Sequence, residues 1–432
     1  MQLLDGALLY GRQSDLNVRF KLGQISIREL GKRIKQRRLL ARFNRQMDQI
    51  NRLGDAGARI CFLDAFPSHY HFSKEIIEKL AQTKPVILLV LDGDHPAHRD
   101  KAASRNVHVF LLDRRWMPFA LNWLRIPYLV TPASHLHPSA VRSDMSVIHS
   151  YHSLVSMHAV YGDDAFDTYT HFLACGPHHV EEVKAIKMAR GLPAATVFKV
   201  GYPKLDDLAA TYAAKSKAHG TRKTILVAPS WHPTNLLTLH GEELCRSILA
   251  LGHEVIIRPH PHLYDRDTDT MDKLRSVAGQ SDGLITIENP NEAFDSFWRA
   301  DIMISDWSGV ALEYAFATER PVVFIDAPRK VNSAELLEIG IPTVEDSLRY
   351  RVGVVVESVD RLGDGIIAAF SATAEEWVER IRAVRDEHIY NFRNSAEVGA
   401  EILATLSHES SMLPPSSTSS ERLVELINYY SG

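Results

Sequence analysis

A chain of 432 residues, 45% of them hydrophobic and 24% charged, has enough apolar sequence for two or three domains. A formal net charge of −4 argues against wholesale nucleic-acid binding. Cys61, Cys175 and Cys245 are odd in number and far apart, with no Cys-x-x-Cys, so no disulfide framework is expected and a reducing cytoplasm suits them. There is no basic start followed by an apolar core, and no run of roughly 18–20 uncharged apolar residues. A soluble or at most peripheral protein is expected.

In chain order, residues 1–54 form a basic N-terminal segment. Between Arg28 and Arg45 eight Lys/Arg stand against one Glu, while Leu30, Ile34, Leu40, Phe43, Met47 and Ile50 recur near helical spacing. Such a helix over 27–53 either lies on an anionic membrane surface or docks on the first domain with a solvated basic face. Short apolar runs follow: Arg59–Phe66, Pro85–Asp92, Val107–Asp113, Pro127–Thr131, Ser146–His149 and Thr170–Cys175. A pause near 200–223 precedes a second series: Lys223–Pro229, Glu254–Arg258, Leu284–Glu288, Asp301–Ser305, Pro321–Ile325 and Gly353–Val356. Helix-length stretches such as Glu242–Leu251 and Asn291–Arg299 lie between them. Strands alternating with helices mean parallel sheets. The expectation is an α/β fold of two tandem doubly wound Rossmann-type domains, over 55–205 and 206–372, with an interdomain cleft. Helices over 373–407 would pack back, and 408–432 reads as a linker with a short terminal helix.

Ligands of open parallel sheets bind beyond the carboxyl ends of the strands, so chemistry is expected at those ends. At Asp306-Trp307-Ser308-Gly309 a strand gives way to a helix, whose N-terminal amides and dipole favour an anion. Ser308 adds a hydroxyl, Gly309 permits close approach, and Glu313, about one turn on, suits ribose hydroxyls. The alternative is a capped helix with Glu313 on a solvated face. In "RPHPH", Arg258, His260 and His262 follow a strand in a loop that Pro259 and Pro261 should hold extended, a fit for phosphate, the alternative being a rigid polar turn with exposed histidines. Ser230 and Trp231 end another strand and could hold phosphate and base, although Trp231 could equally be core. In the first half, a histidine among His149, His152 and His158 would face the expected cleft, where a general base belongs; the alternative for each is a structural histidine at a helix start.

Taken together these stretches resemble the CDP-glycerol glycerophosphotransferase family, the teichoic-acid and capsule polymerases and primases with a GT-B fold. The family's Trp-His-Gly stands here as Tyr151-His152-Ser153, and its junction motif as Gly201-Tyr202-Pro203-Lys204-Leu205-Asp206. Ala228-Pro229-Ser230-Trp231, His260-Pro261 and Asp306-Trp307-Ser308-Gly309 with Glu313 match its other motifs. Met157 replaces the family's lysine, and Gly309 its second serine. The resemblance implies an enzyme that moves an alditol phosphate from a CDP-linked donor to a cell-surface polymer or lipid-linked acceptor. His152 and His260 would be catalytic; Arg258, Ser230, Trp231, Asp306, Ser308, Gly309 and Glu313 would hold the donor. A cytoplasmic location is expected, peripheral on the inner face of the plasma membrane if the 27–53 helix lies on it.

Rival expectations keep the fold and change the chemistry: a UDP-sugar glycosyltransferase or a UDP-N-acetylglucosamine 2-epimerase-like enzyme, whose Ser-Asp-x-Ser-Gly-x-x-x-Glu is similar. A non-catalytic nucleotide- or partner-binding module is the alternative of another class. The histidine-rich stretches lack zinc-site spacing, and Asp92-Gly93-Asp94 fits a turn as well as a divalent cation. No obligatory metal or cofactor is expected.

Overall fold

Runs such as Val86–Val90 show no polar alternation because both faces of each central strand are covered. The computed structural model describes residues 27–409, except 92, 99–104, 163, 216–221, 233, 289–293 and 329–338. The first sheet contains β1 (Ile60–Asp64), β2 (Val86–Val90), β3 (Val107–Leu111), β4 (Tyr128–Thr131), β5 (Ser146–Ser150), β6 (His171–Ala174) and β7 (Thr196–Lys199). The second contains β8 (Thr224–Val227), β9 (Glu254–Ile257), β10 (Ile285–Ile287), β11 (Ile302–Ser305), β12 (Val322–Ile325) and β13 (Gly353–Val356). Their orders are β3-β2-β1-β4-β5-β6-β7 and β10-β9-β8-β11-β12-β13. Every pairing is parallel.

In both sheets the winding reverses beside the first strand, between β1 and β4 and between β8 and β11. Such a reversal opens a crevice beyond the strand ends. The edge strand β7 has no counterpart among the apolar runs of the sequence. It is four residues long and lies partly exposed, so burial never demanded a hydrophobic run there.

Residues at both ends of the described chain belong to the first domain. The Ile27–Asp55 helix buries Phe43, Met47 and Ile50 at an i, i+4, i+7 spacing and leaves Arg38, Arg42 and Arg45 exposed. The apolar side of this described portion is therefore spent on the protein core. The Ser395–Glu409 helix returns from beyond the second sheet to pack on the Tyr70–Leu80 helix, with Leu403 fully buried. Its start is fixed by Asp206 of the junction, whose carboxylate accepts from the amides of Arg393 at 2.7 Å and Ser395 at 2.8 Å. Gly201 of the same junction has φ +102°, and a Cβ there would collide with the Tyr390 carbonyl and the Ser395 side chain.

Candidate functional site

The second sheet's crevice is bridged by two of the singled-out residues. Asp306, just beyond β11, is buried and accepts from the Ser230 amide at 2.7 Å and the Ser230 hydroxyl at 3.1 Å. Ser230 follows β8, so the pair ties together the strand ends that flank the crevice. Burial raises the Asp306 carboxyl, and the Ser230 bonds act against that rise. Ser308 is the N-cap of the Gly309–Thr318 helix, with φ −81° and ψ 133°, yet its side chain makes no capping bond. The first amides of a helix lack i−4 partners; here Ala311 donates to the Ser308 carbonyl at 3.1 Å, and the half-buried Ser308 hydroxyl makes no capping bond and can serve another use.

Beside it, Pro261 does not hold an extended loop. It opens the short Pro261–Arg266 helix, because its missing N–H and preset φ suit a first helical position. His260 caps that helix, its Nδ1 accepting from the His262 amide at 3.2 Å. The three other His-Pro pairs repeat this turn: Nδ1 of His95, His137 and His232 accepts from the amide two residues on, each at 3.2 Å. Proline has no N–H to offer and biases the preceding residue to an extended backbone, so the imidazole reaches over it to the next amide. Trp231 stands against both histidines, ring centroids 6.0 Å from His260 and 5.5 Å from His262. Arg258 is held by the buried carboxylate of Glu288 and lies over Phe294 at 4.2 Å. Glu288 also accepts from the Ser296 amide and hydroxyl. Arg258 therefore sits at the right edge with its charge already partnered.

His152 lies at the corresponding crevice of the first sheet. Its Nδ1 is 2.7 Å from the carbonyl oxygen of Pro132, just past β4. A carbonyl only accepts, so Nδ1 carries the proton and Nε2 the lone pair. The Tyr161 hydroxyl is 3.0 Å from Nε2 and is the donor there. His69 stacks at 6.2 Å, pushed down to about 3 by burial and by the charges of His152, His95 and Arg114. His149 is fully buried among Tyr151, Phe166, Tyr169 and Phe172, and burial holds it well below the usual range.

The loop after His152 meets the second domain. A Cβ on Gly309 would collide with the Ser153 hydroxyl and lie 2.9 Å from Val155 Cγ1. Gly309 thus admits the first domain's loop to the start of the helix. Alongside, the Ser156 amide donates to Glu345 at 3.1 and 3.2 Å, its hydroxyl accepts from the Val344 amide at 2.7 Å, and His158 Nε2 lies 2.9 Å from the Ile341 carbonyl. No sequence signal marked Ser156 or Glu345, because each acts through a partner far along the chain, and none marked Tyr161, whose hydroxyl reaches His152 only once the intervening loop folds back.

Glu313 is not on a solvated face. Every residue of its helix except Val310 is buried, and its carboxylate takes the Tyr202 hydroxyl at 2.8 Å and Lys204 Nζ at 2.6 Å. A buried carboxylate needs such partners, and the Gly201–Asp206 junction supplies them. Among the described residues, no group of three or more His, Cys, Asp or Glu has metal-holding geometry. Asp92 lies outside the described residues, and Asp94 is exposed. Among the described residues, no helix is long and apolar enough to cross a membrane.

Known proteins can be set beside this geometry. No curated protein matches the chain. Among solved structures, the wall teichoic acid polymerase TagF soaked with CDPG aligns with TM-score 0.53 at 13% identity, covering 88% of this chain and 98% of that one. The UDP-GlcNAc 2-epimerase of Methanocaldococcus jannaschii, in complex with UDP-GlcNAc and UDP, gives 0.53 at 12%, covering 81% and 99%. The Neisseria meningitidis UDP-GlcNAc 2-epimerase bound to UDP-GlcNAc gives 0.51 at 11%, covering 81% and 100%. At such identities these likenesses establish the shared GT-B architecture and nothing finer. The model of the CDP-Glycerol:Poly(glycerophosphate) glycerophosphotransferase family matches residues 166–389, just over half the chain. That stretch spans the second-domain crevice, the junction and the helices beyond, and the chain belongs to this family of CDP-glycerol-type transferases.

Proposed function

We propose that the chain transfers an alditol phosphate, of glycerol- or ribitol-phosphate type, from a CDP-linked donor to a teichoic-acid- or polysaccharide-like acceptor. The observation that carries this reading is the pair of opposite tautomers at the two crevices. His152 has its Nε2 lone pair available for a proton, because Nδ1–H is committed to Pro132. His260 has Nδ1 committed as an acceptor, so its neutral ring carries the proton on Nε2 and is a hydrogen-bond donor. A base on one domain and a donor on the other suit attack of a hydroxyl on a phosphorus held between them.

In this mechanism the acceptor hydroxyl takes the place of the Tyr161 phenol and gives its proton to His152 Nε2. Its oxygen bonds to the phosphorus attached to the alditol, the bond to the bridging oxygen breaks, and CMP leaves. His260 Nε2–H and the amides at Ser308 and Gly309 face the charge that grows on the phosphoryl oxygens. Trp231 is suited to the base. Arg258 and the Ser230–Asp306 bridge hold the strand ends in place around the diphosphate. The exposed Arg38, Arg42 and Arg45 suit an anionic, lipid-linked acceptor at the inner face of a membrane.

Hydrogen-bond donors on His260 and the helix terminus face the phosphates without a metal, so turnover is expected to survive EDTA. Complete loss restored by magnesium or manganese would instead make Asp94 a cation ligand. The decisive experiment is a thermal-shift series with CDP-glycerol, CDP-ribitol, CDP, UDP and UDP-N-acetylglucosamine, followed by CMP release from whichever donor stabilises most. A ligand at roughly a hundred times its dissociation constant adds about 2.7 kcal/mol, easily resolved. Stronger stabilisation by UDP-N-acetylglucosamine than by any cytidine nucleotide would overturn the proposal in favour of sugar chemistry.

A further inference from the structure

A second cation stands next to the Ser308–Gly309 helix terminus, and no motif of the sequence drew attention to it. Arg349 lies on the Val344–Val352 helix and is only 3% exposed. Its guanidinium carbon stacks 3.5 Å from the ring centroid of Trp307, the residue between Asp306 and Ser308, with Phe324 at 5.9 Å on the neighbouring strand. One nitrogen, Nη2, donates to Asp326 at 3.0 Å, just beyond the end of β12. The other two, Nε and Nη1, are buried and have no hydrogen-bond partner among the described residues. The indole itself is locked, its Nε1 donating to the Ala327 carbonyl at 2.7 Å.

This is an expensive arrangement for a merely structural arginine. A buried guanidinium presents five donors in a rigid fork, and silent donors carry their desolvation cost uncompensated. Stacking on an indole repays part of that cost but satisfies no N–H. An oxyanion would satisfy them, since the fork matches phosphate geometry with two parallel bonds. Trp307 places the fork one residue from a helix terminus that also favours anions. Among the described residues, the half-exposed Asp326 is the one carboxylate paired with it.

We propose that Arg349 is an anion-binding residue of the donor site, taking a phosphate of a diphosphate ligand through Nε and Nη1 while the Ser308–Gly309 amides take the other. The idea rests on the donor-site reading above, and its test keeps the two apart. Isothermal titration with inorganic pyrophosphate, CDP and cytidine is made on the wild type, Arg349→Gln, Arg349→Lys and Asp326→Asn, with a melting curve for each. Arg349→Gln is expected to weaken pyrophosphate and CDP by about ten- to a hundredfold, the worth of a charged hydrogen bond. Any response to cytidine should stay as it was. Arg349→Lys should fall between, keeping the charge and losing the fork. Asp326→Asn removes a negative charge beside the bound anion and is expected to tighten pyrophosphate severalfold, a readout that survives if Arg349→Gln fails to fold. Unchanged pyrophosphate affinity in both Arg349→Lys and Asp326→Asn, or loss of melting temperature alone, would overturn the assignment and leave the donor reading standing. Pyrophosphate binding that depends on Arg349 without any preference for cytidine nucleotides would uphold the assignment and sink the CDP donor. A wild type that binds none of the three overturns both.

Discussion

His152 and His260 carry the same ring into opposite roles, and the difference is one backbone contact each. A carbonyl on Nδ1 makes His152 an acceptor at Nε2; an amide on Nδ1 makes His260 a donor there. His152→Gln is expected to lower turnover by about 10²–10⁴-fold, the usual worth of a general base, with CDP affinity unchanged by titration. A fall in affinity of the same size would place His152 in binding. Ser308 makes no capping bond, so Ser308→Ala should leave the unfolding free energy within about 0.5 kcal/mol of the wild type, while nucleotide affinity drops severalfold. A capping serine would give the reverse, a loss of roughly 0.5–2 kcal/mol and unaltered affinity.

At the scale of elements, the Gly309–Thr318 helix touches both the first domain and the junction. Its N-terminus meets the Ser153–Val155 loop, and its middle is tied by Glu313 to Tyr202 and Lys204 at the junction. Glu313→Ala leaves Lys204 mostly buried beside two aromatic rings without its anion. Breaking one side of a buried pair costs about 3–5 kcal/mol, and denaturant unfolding should show a loss of that order. Adding Lys204→Met to an apolar Glu313→Leu should restore much of it, because both charges then go. If Glu313→Ala leaves stability alone and weakens ribose-bearing nucleotides only, the carboxylate belongs to the ligand after all. Gly309→Val would press on Ser153 and Val155, so it should loosen the contact between domains as well as hinder a phosphate.

At the scale of the whole molecule, the segments around Ser156 and Glu345 fasten one domain to the other through groups that titrate. Burial, and then the charge of Glu182, push Glu345 up to about 7 from an ordinary 4.5. Burial lowers His158, but its bond to Glu182, that residue's charge and the Ile341 carbonyl outweigh this and leave it raised. Both groups therefore hold protons more tightly folded than unfolded. For Glu345 the stabilisation is fully present below about pH 4.5 and is lost as pH rises through about 7. The melting-temperature advantage of wild type over Glu345→Gln, which keeps an acceptor for the Ser156 amide, should therefore shrink between about pH 5 and 8. A difference between wild type and Glu345→Gln that stays constant across this range would show that Glu345 takes up no proton on folding.

The sequence by itself determined the two parallel sheets, since a strand covered on both faces must be apolar throughout, as Val86–Val90 and Ile302–Ser305 are. It also determined which strand ends carry polar side chains: His260, Ser230, Asp306 and Ser308 read as interruptions after apolar runs. Strand order, and hence which ends meet, depended on packing. So did the partners of Glu313, Arg258 and Arg349, because a charge in a sequence does not say what lies across from it elsewhere in the chain. Glu313 looks like a lone acid on a helix until Tyr202 and Lys204 are brought against it. Tautomers likewise belong to the tertiary structure: Pro132 lies 20 residues before His152 and next to it only because β4 and β5 are neighbours. Apolar periodicity is a local property that burial writes directly into a chain, whereas hydrogen-bond partners are settled only when distant strand ends come together.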